Sequence, residues 1–199
     1  MNKTNCLTWI AAMASTALCT AGALGATVTT FGTYGAWSAA AGDVTTIAFD
    51  EVPLGTLVTD EYEPLGVLFT DTNGNWTTGV SNFLFPQDGY GLDGEETIEL
   101  TLLTPAVGVA AHFPGFARFR LFLGETLLYQ SPLFGASGVG HFGGVMSTAA
   151  FDRVEVFGLD IPDQVALDNL YLSFAPVPAP GAALVLALGL AVPARRRRT

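Results

Sequence analysis

Cysteine and basic residues are both scarce in this chain. The only cysteines are Cys6 and Cys19, so beyond the first 26 residues there can be no disulfide framework, cysteine nucleophile or thiolate metal site. Of eight basic residues, Lys3 lies at one end and Arg195, Arg196, Arg197 and Arg198 at the other. Between positions 43 and 168 only Arg118, Arg120 and Arg153 stand against all 18 acidic residues. A surface that acidic repels phosphate backbones, which argues against nucleic acid as a partner. It suits solubility outside the cell and binding of cations. Helical periodicity is missing as well: residues 27–174 run in short apolar or alternating stretches broken by Gly, Pro, Asn and Asp, and no helix is expected there.

What is present starts with two atypical ends. Lys3 is followed by an apolar run over residues 7–18 and then by Ala21, Gly22, Ala23, Gly25 and Ala26, the layout of a secretory signal peptide occupying 1–26 and cut by signal peptidase between residues 23 and 27. The alternative is an N-terminal membrane anchor, for which the apolar run is short. Leu18, not a small residue, precedes Cys19, which excludes lipidation there. Removing the segment leaves a mature chain without thiols.

Residues 27–174 read as one all-β domain. Strands are expected at 45–49, 66–70, 107–113, 118–123, 126–130, 151–157 and 165–174, and over 97–102, where Ile98, Leu100 and Leu102 alternate with polar neighbours. In the stretch around Arg118 and Arg120, Phe119, Leu121 and Leu123 take one side and the arginines the other. Asp93 and Gly94 form a hairpin-type dipeptide, Pro114 and Gly115 a turn, and the glycine-rich stretch 135–144 a loop. Eight to ten such strands imply an antiparallel β-sandwich of jelly-roll type.

An assembled catalytic set is hard to find. His112 sits in an apolar strand beside Phe113, as core histidines do, and His141 lies in the glycine-rich loop. Ser137, His141 and an aspartate form no Gly-x-Ser-x-Gly elbow, and two histidines without a His-Glu-x-x-His helix do not make a zinc site. The acid pairs Asp60/Glu61 and Glu95/Glu96 are sequence neighbours, which on a strand point to opposite faces instead of flanking one glycosidic bond. No enzyme is expected, a carbohydrate-active enzyme being the remoter alternative. Trp37, Trp76, Tyr62, Tyr90 and Tyr129 fall near predicted turns, so a sugar-binding module remains the alternative; most aromatics of such a chain belong to the core.

Calcium has two candidate seats. Asp71, Asn73 and Asn75 match the first ligands of a calcium loop, but Trp76 replaces its glycine and Asn82 its glutamate, which reads as an Asx-rich turn. Asp168 would point to the apolar side of the final strand, where a carboxylate is costly unless paired or bound to a cation. Asp50 and Glu51 end an early strand, and adjacent first and last strands would bring the three carboxylates to a structural Ca²⁺. The alternative is that Asp168 caps a turn or accepts from backbone N–H groups.

After Phe174 the composition changes abruptly. Segment 175–199 holds Val177, Pro178, Ala179 and Pro180 in a proline linker, a charge-free stretch over 181–192 expected to form a short apolar helix, and the four arginines. The linker is extended and accessible to a protease, and under the positive-inside rule the arginines stay cytoplasmic, placing the domain outside. Twelve helical residues span roughly 18 Å against a hydrocarbon core of about 30 Å, which suits a transient anchor. The tail resembles the PEP-CTERM sorting signal of exported proteins in Gram-negative bacteria that make extracellular polysaccharide. In that family the motif usually reads Val-Pro-Glu-Pro; Ala179 stands at the glutamate position. The resemblance implies an exosortase as processing partner, transient tethering to the inner membrane, and a destination at the cell surface or in a polysaccharide matrix. Ile47 to Asp50, Gly66 to Phe69, Phe151 to Val156 and Leu167 to Leu170 look like recurring pieces of the jelly-roll domains that carry such tails.

Overall fold

The computed structural model describes residues 26–70, 79–81, 89–95, 97–138, 140–158 and 165–175. They form mostly antiparallel β structure. In chain order the elements are β1 (Val28–Phe31), α1 (Tyr34–Ala41), β2 (Thr45–Ile47), β3 (Val67–Thr70), β4 (Gly79–Ser81), β5 (Gly91–Gly94), β6 (Thr97–Phe113), β7 (Phe116–Leu123), β8 (Thr126–Gln130), β9 (Phe134–Gly135), β10 (His141–Gly158), β11 (Val165–Leu167) and β12 (Leu170–Phe174).

Two long strands organise everything else. β6 and β10 pair antiparallel from Phe113↔His141 to Thr97↔Phe157, with breaks in register between Met146 and Phe151 and again before Arg153. On one side of the break β6 carries β12, which carries β2, while β10 carries β1. On the other side β6 carries β3, and β10 carries β7 with β8 and β9. A separate small sheet runs β11-β5-β4.

Alternation decides which residues go in. Ile98, Leu100, Val109, Ala111 and Phe113 of β6 meet Val154 and Val156 of β10, Phe119 and Leu121 of β7, and Leu170 and Leu172 of β12 in one core fed by both halves of the sheet. Pro105 lies inside β6, yet the strand continues through it. A proline cannot donate to the ladder, and it stands where pairing with β10 is interrupted, so no inter-strand bond is lost. The stretches 97–102 and 107–113, expected as two strands, are therefore one.

Three other expectations need correction. The stretch 135–144 is not wholly a loop, because β10 begins at His141 and runs through Gly143 and Gly144. These glycines permit close approach: a Cβ on Gly143 would lie 2.6 Å from Phe134 Cγ, and one on Gly144 2.6 Å from Trp37 Cδ1. The expected strand over 165–174 is broken at Asp168 and Asn169, so β11 joins the small sheet and β12 the large one. Finally, an eight-residue helix forms where none was expected. Its alanines favour helix, and Gly42, at φ 73°, closes its end with an N–H bond to the Ser38 carbonyl. Trp37 is its single buried residue, too little to print a period on the sequence.

Candidate functional site

Helix α1 covers the outward face of β6, β10 and β12. Trp37 is fully buried there with Ala110 and Tyr171, and its indole N–H donates to the Val145 carbonyl at 3.2 Å. At the helix end the Ser173 hydroxyl donates to the Ala41 carbonyl at 2.8 Å. With the middle and C-terminal end pinned, the first turn projects Tyr34, which is 40% exposed.

Around Tyr34 the sheet gathers an aromatic group. Its ring centroid lies 4.7 Å from that of Tyr171, 6.1 Å from Phe142 and 6.3 Å from His112. His112 and Phe142 are register partners on β6 and β10 and so share one face. The His112 Nδ1 is hydrogen-bonded to the Tyr171 hydroxyl at 3.0 Å, which holds the imidazole in place. An open groove of about 590 Å³ runs between the first turn of α1 and the segment before β10. Thr33, Tyr34, His112, Leu133, His141 and Phe142 line it, with Gly32, Gly135 and Gly140 in its walls. Among the described residues that line it there is neither a carboxylate nor an arginine. Thr33 occupies the helix N-cap but makes no side-chain capping bond.

His141 pairs with Phe113, so its side chain leaves the strand on the side opposite to that of His112. Its Nε2 is buried without a hydrogen bond. The two histidines do not converge on one ion, and no group of three or more His, Cys, Asp or Glu among the described residues is placed to hold a metal.

Asp168 is 0% exposed, whereas Asp50 and Glu51 lie exposed after β2. Asp168 N–H donates to the His112 carbonyl at 2.8 Å, His112 N–H to the Asn169 carbonyl at 2.9 Å, and the Asn169 amide to Asp168 Oδ1 at 3.4 Å. The break between β11 and β12 is thus stitched to β6. Near Glu51, burial first and then that carboxylate hold the Tyr62 hydroxyl above the usual phenol range; the hydroxyl makes no hydrogen bond of ordinary length. Asp60 and Glu61 serve their own turn, accepting from the Thr59 hydroxyl and N–H. On β5, burial pushes the Asp93 carboxyl above its usual range.

The three central arginines lie together on the outward face of β7 and β10. Arg153 bonds Glu99 at 3.1 Å and Glu155 at 2.9 Å, and Arg120 pairs with Glu155 at 3.5 Å. Arg120 also stacks over Phe157 and Arg153 over Phe122, at 4.1 and 4.0 Å. Arg120 and Arg153 thus fasten the strands through Glu99 and Glu155, whereas the buried Arg118 Nε makes no hydrogen bond.

Of the aromatics singled out from the sequence, Trp37 and Tyr62 are buried, and Tyr90 and Tyr129 pack against the core. The groove instead uses Tyr34 and Phe142, brought together from distant segments. Residues 1–25 of the expected signal segment, the expected Asx-rich turn at Asp71, Asn73 and Asn75, Trp76, Asn82, Glu96, and the tail from Pro176, with the expected sorting motif and the arginine run, lie outside the described residues. No described helix is long and apolar enough to cross a membrane. The chain matches no protein-family model and no curated protein sequence.

Proposed function

We propose that this chain is an exported, non-catalytic surface or matrix protein, sorted through its C-terminal tail by an exosortase and associated with secreted polysaccharide outside the cell. The domain is read as a jelly-roll-type sandwich, a reading supported by the way both halves of β6 and β10 feed one core. The observation that carries the functional reading is the order of parts after Phe174: β12 ends at that residue, and the proline linker, the charge-free stretch and the four arginines follow at once. That order gives a protease its site, the membrane a short anchor and the cytoplasm a positive stop. Calcium plays no part in this reading.

Pulse-labelled fractionation of producing cells tests it. The full chain is expected to pass through the membrane fraction before reaching the outside, while a chain ending at Ala175 is exported without that membrane stage. Retention of both forms in the cytoplasm would overturn the proposal. A sugar-binding module is the second reading, favoured by the aromatic groove beside α1.

A further inference from the structure

We infer that the groove between the first turn of α1 and the segment leading into β10 is a binding site for an uncharged saccharide, with Tyr34 as its stacking platform. This rests on the reading above as far as it concerns polysaccharide, and adds the place and the chemistry of the contact.

Four observations converge on that ligand class. The first is charge. The described domain is strongly acidic, yet none of the described residues lining the groove is Asp, Glu, Lys or Arg. An anionic ligand would find no counter-charge and a repelling field, and a cation would find no carboxylate there. The second is the platform. Tyr34 is 40% exposed although its ring rests on Tyr171, so it is backed by packing while part of it stays open. A pyranose offers a face of C–H groups that covers an aromatic ring, and hydroxyls around its rim that need partners. An aromatic side chain with a polar tip suits that combination.

The third observation is the supply of polar partners. The Thr33 hydroxyl makes no capping bond. The first helical hydrogen bond runs from Trp37 N–H to the Thr33 carbonyl, so the N–H groups of Tyr34, Gly35 and Ala36 have no helical acceptor. Donors and an acceptor therefore sit beside the platform on the same turn. The fourth is shape. About 590 Å³ falls within the range of small-ligand sites, and an open trough with glycines in its walls admits a chain of sugar rings passing along it. His112 is held by Tyr171 and Trp37 anchors the helix, so the helix side of the trough and the imidazole beside it are set before a ligand arrives, which lowers the ordering cost of binding.

The test is calorimetry on the full-length chain with cellohexaose, maltohexaose and xylohexaose as neutral probes and hexagalacturonate as the charged one. Saturable binding of a neutral hexamer is expected with Kd on the order of 100 µM. Tyr34→Ala should weaken it about tenfold or more, Tyr34→Phe should retain most of it, and Leu54→Ala, at an exposed position outside the groove, should leave it unchanged. Amide shifts on titration should cluster at Gly32, His112 and Gly140, a readout that does not depend on any variant folding. Failure of all neutral hexamers to bind, preference for hexagalacturonate, equal binding by a folded Tyr34→Ala, or shifts lying elsewhere would each overturn the site. Fractionation reports export separately, so a chain that is correctly exported but binds no sugar removes this inference and leaves the sorting reading standing.

Discussion

Trp37→Ala is expected to destabilise the domain by about 3–5 kcal/mol, the usual cost of emptying a fully buried aromatic site. The indole is the only buried side chain of α1, and its N–H bond to the Val145 carbonyl ties the helix to β10. With the ring removed, that carbonyl loses the indole donor and Ala110 and Tyr171 lose the side chain that covers them. Urea unfolding followed by far-UV circular dichroism measures the effect. Trp37→Phe, which keeps most of the ring volume and loses the hydrogen bond, should cost distinctly less. A loss below about 1 kcal/mol for the alanine variant would mean that α1 is not held as described.

Arg153→Met is expected to cost about 2–3 kcal/mol through the carboxylates it leaves behind. Glu99 and Glu155 stand directly opposite each other on β6 and β10, and one Arg153 nitrogen bridges them. Glu99 is 9% exposed, so solvent cannot take over that role. Without the guanidinium, two like charges face each other across a strand pair, a destabilising arrangement. Adding Glu99→Gln should recover more than half of the loss. A double variant as unstable as the single one would show that Arg153 acts through its stacking on Phe122 and not through charge.

What could be seen in the sequence was whatever has a short period. The alternation of Ile98, Leu100 and Leu102, and of Phe119 and Leu121 with the arginines, appears in the structure as buried and outward faces. Leu123 departs from that pattern, standing exposed at the hairpin tip where β7 has run past the core. Features that depend on a distant partner were not visible. Gly143 and Gly144 read as loop residues because glycine usually marks flexibility, but here each leaves room for a ring arriving from elsewhere in the chain, Phe134 or Trp37. α1 has one anchor in eight residues, so the sequence carries no stripe to mark it. Asp168 was recognised as an unusual residue to bury; its setting, a break between strands of two different sheets, follows from the pairing of β11 with β5, which no local pattern encodes.

The groove was illegible for the same reason. Tyr34, His112, Phe142 and Tyr171 are far apart in sequence and meet only because β12, β6 and β10 are neighbours in one sheet and α1 lies over them. Tyr34 itself sits among small residues that resemble a turn. A residue-by-residue reading could rank aromatics by their nearness to predicted turns, but not by what backs them.

Intact-mass spectrometry of the protein recovered from outside the cell tests most directly whether this chain is exported and sorted through its tail. The account predicts a species that has lost its first 23 to 26 residues and the arginine run at Arg195, Arg196, Arg197 and Arg198, with cleavage near Pro178 to Pro180. A full-length mass found only in the cytoplasm, with both ends retained, would contradict it.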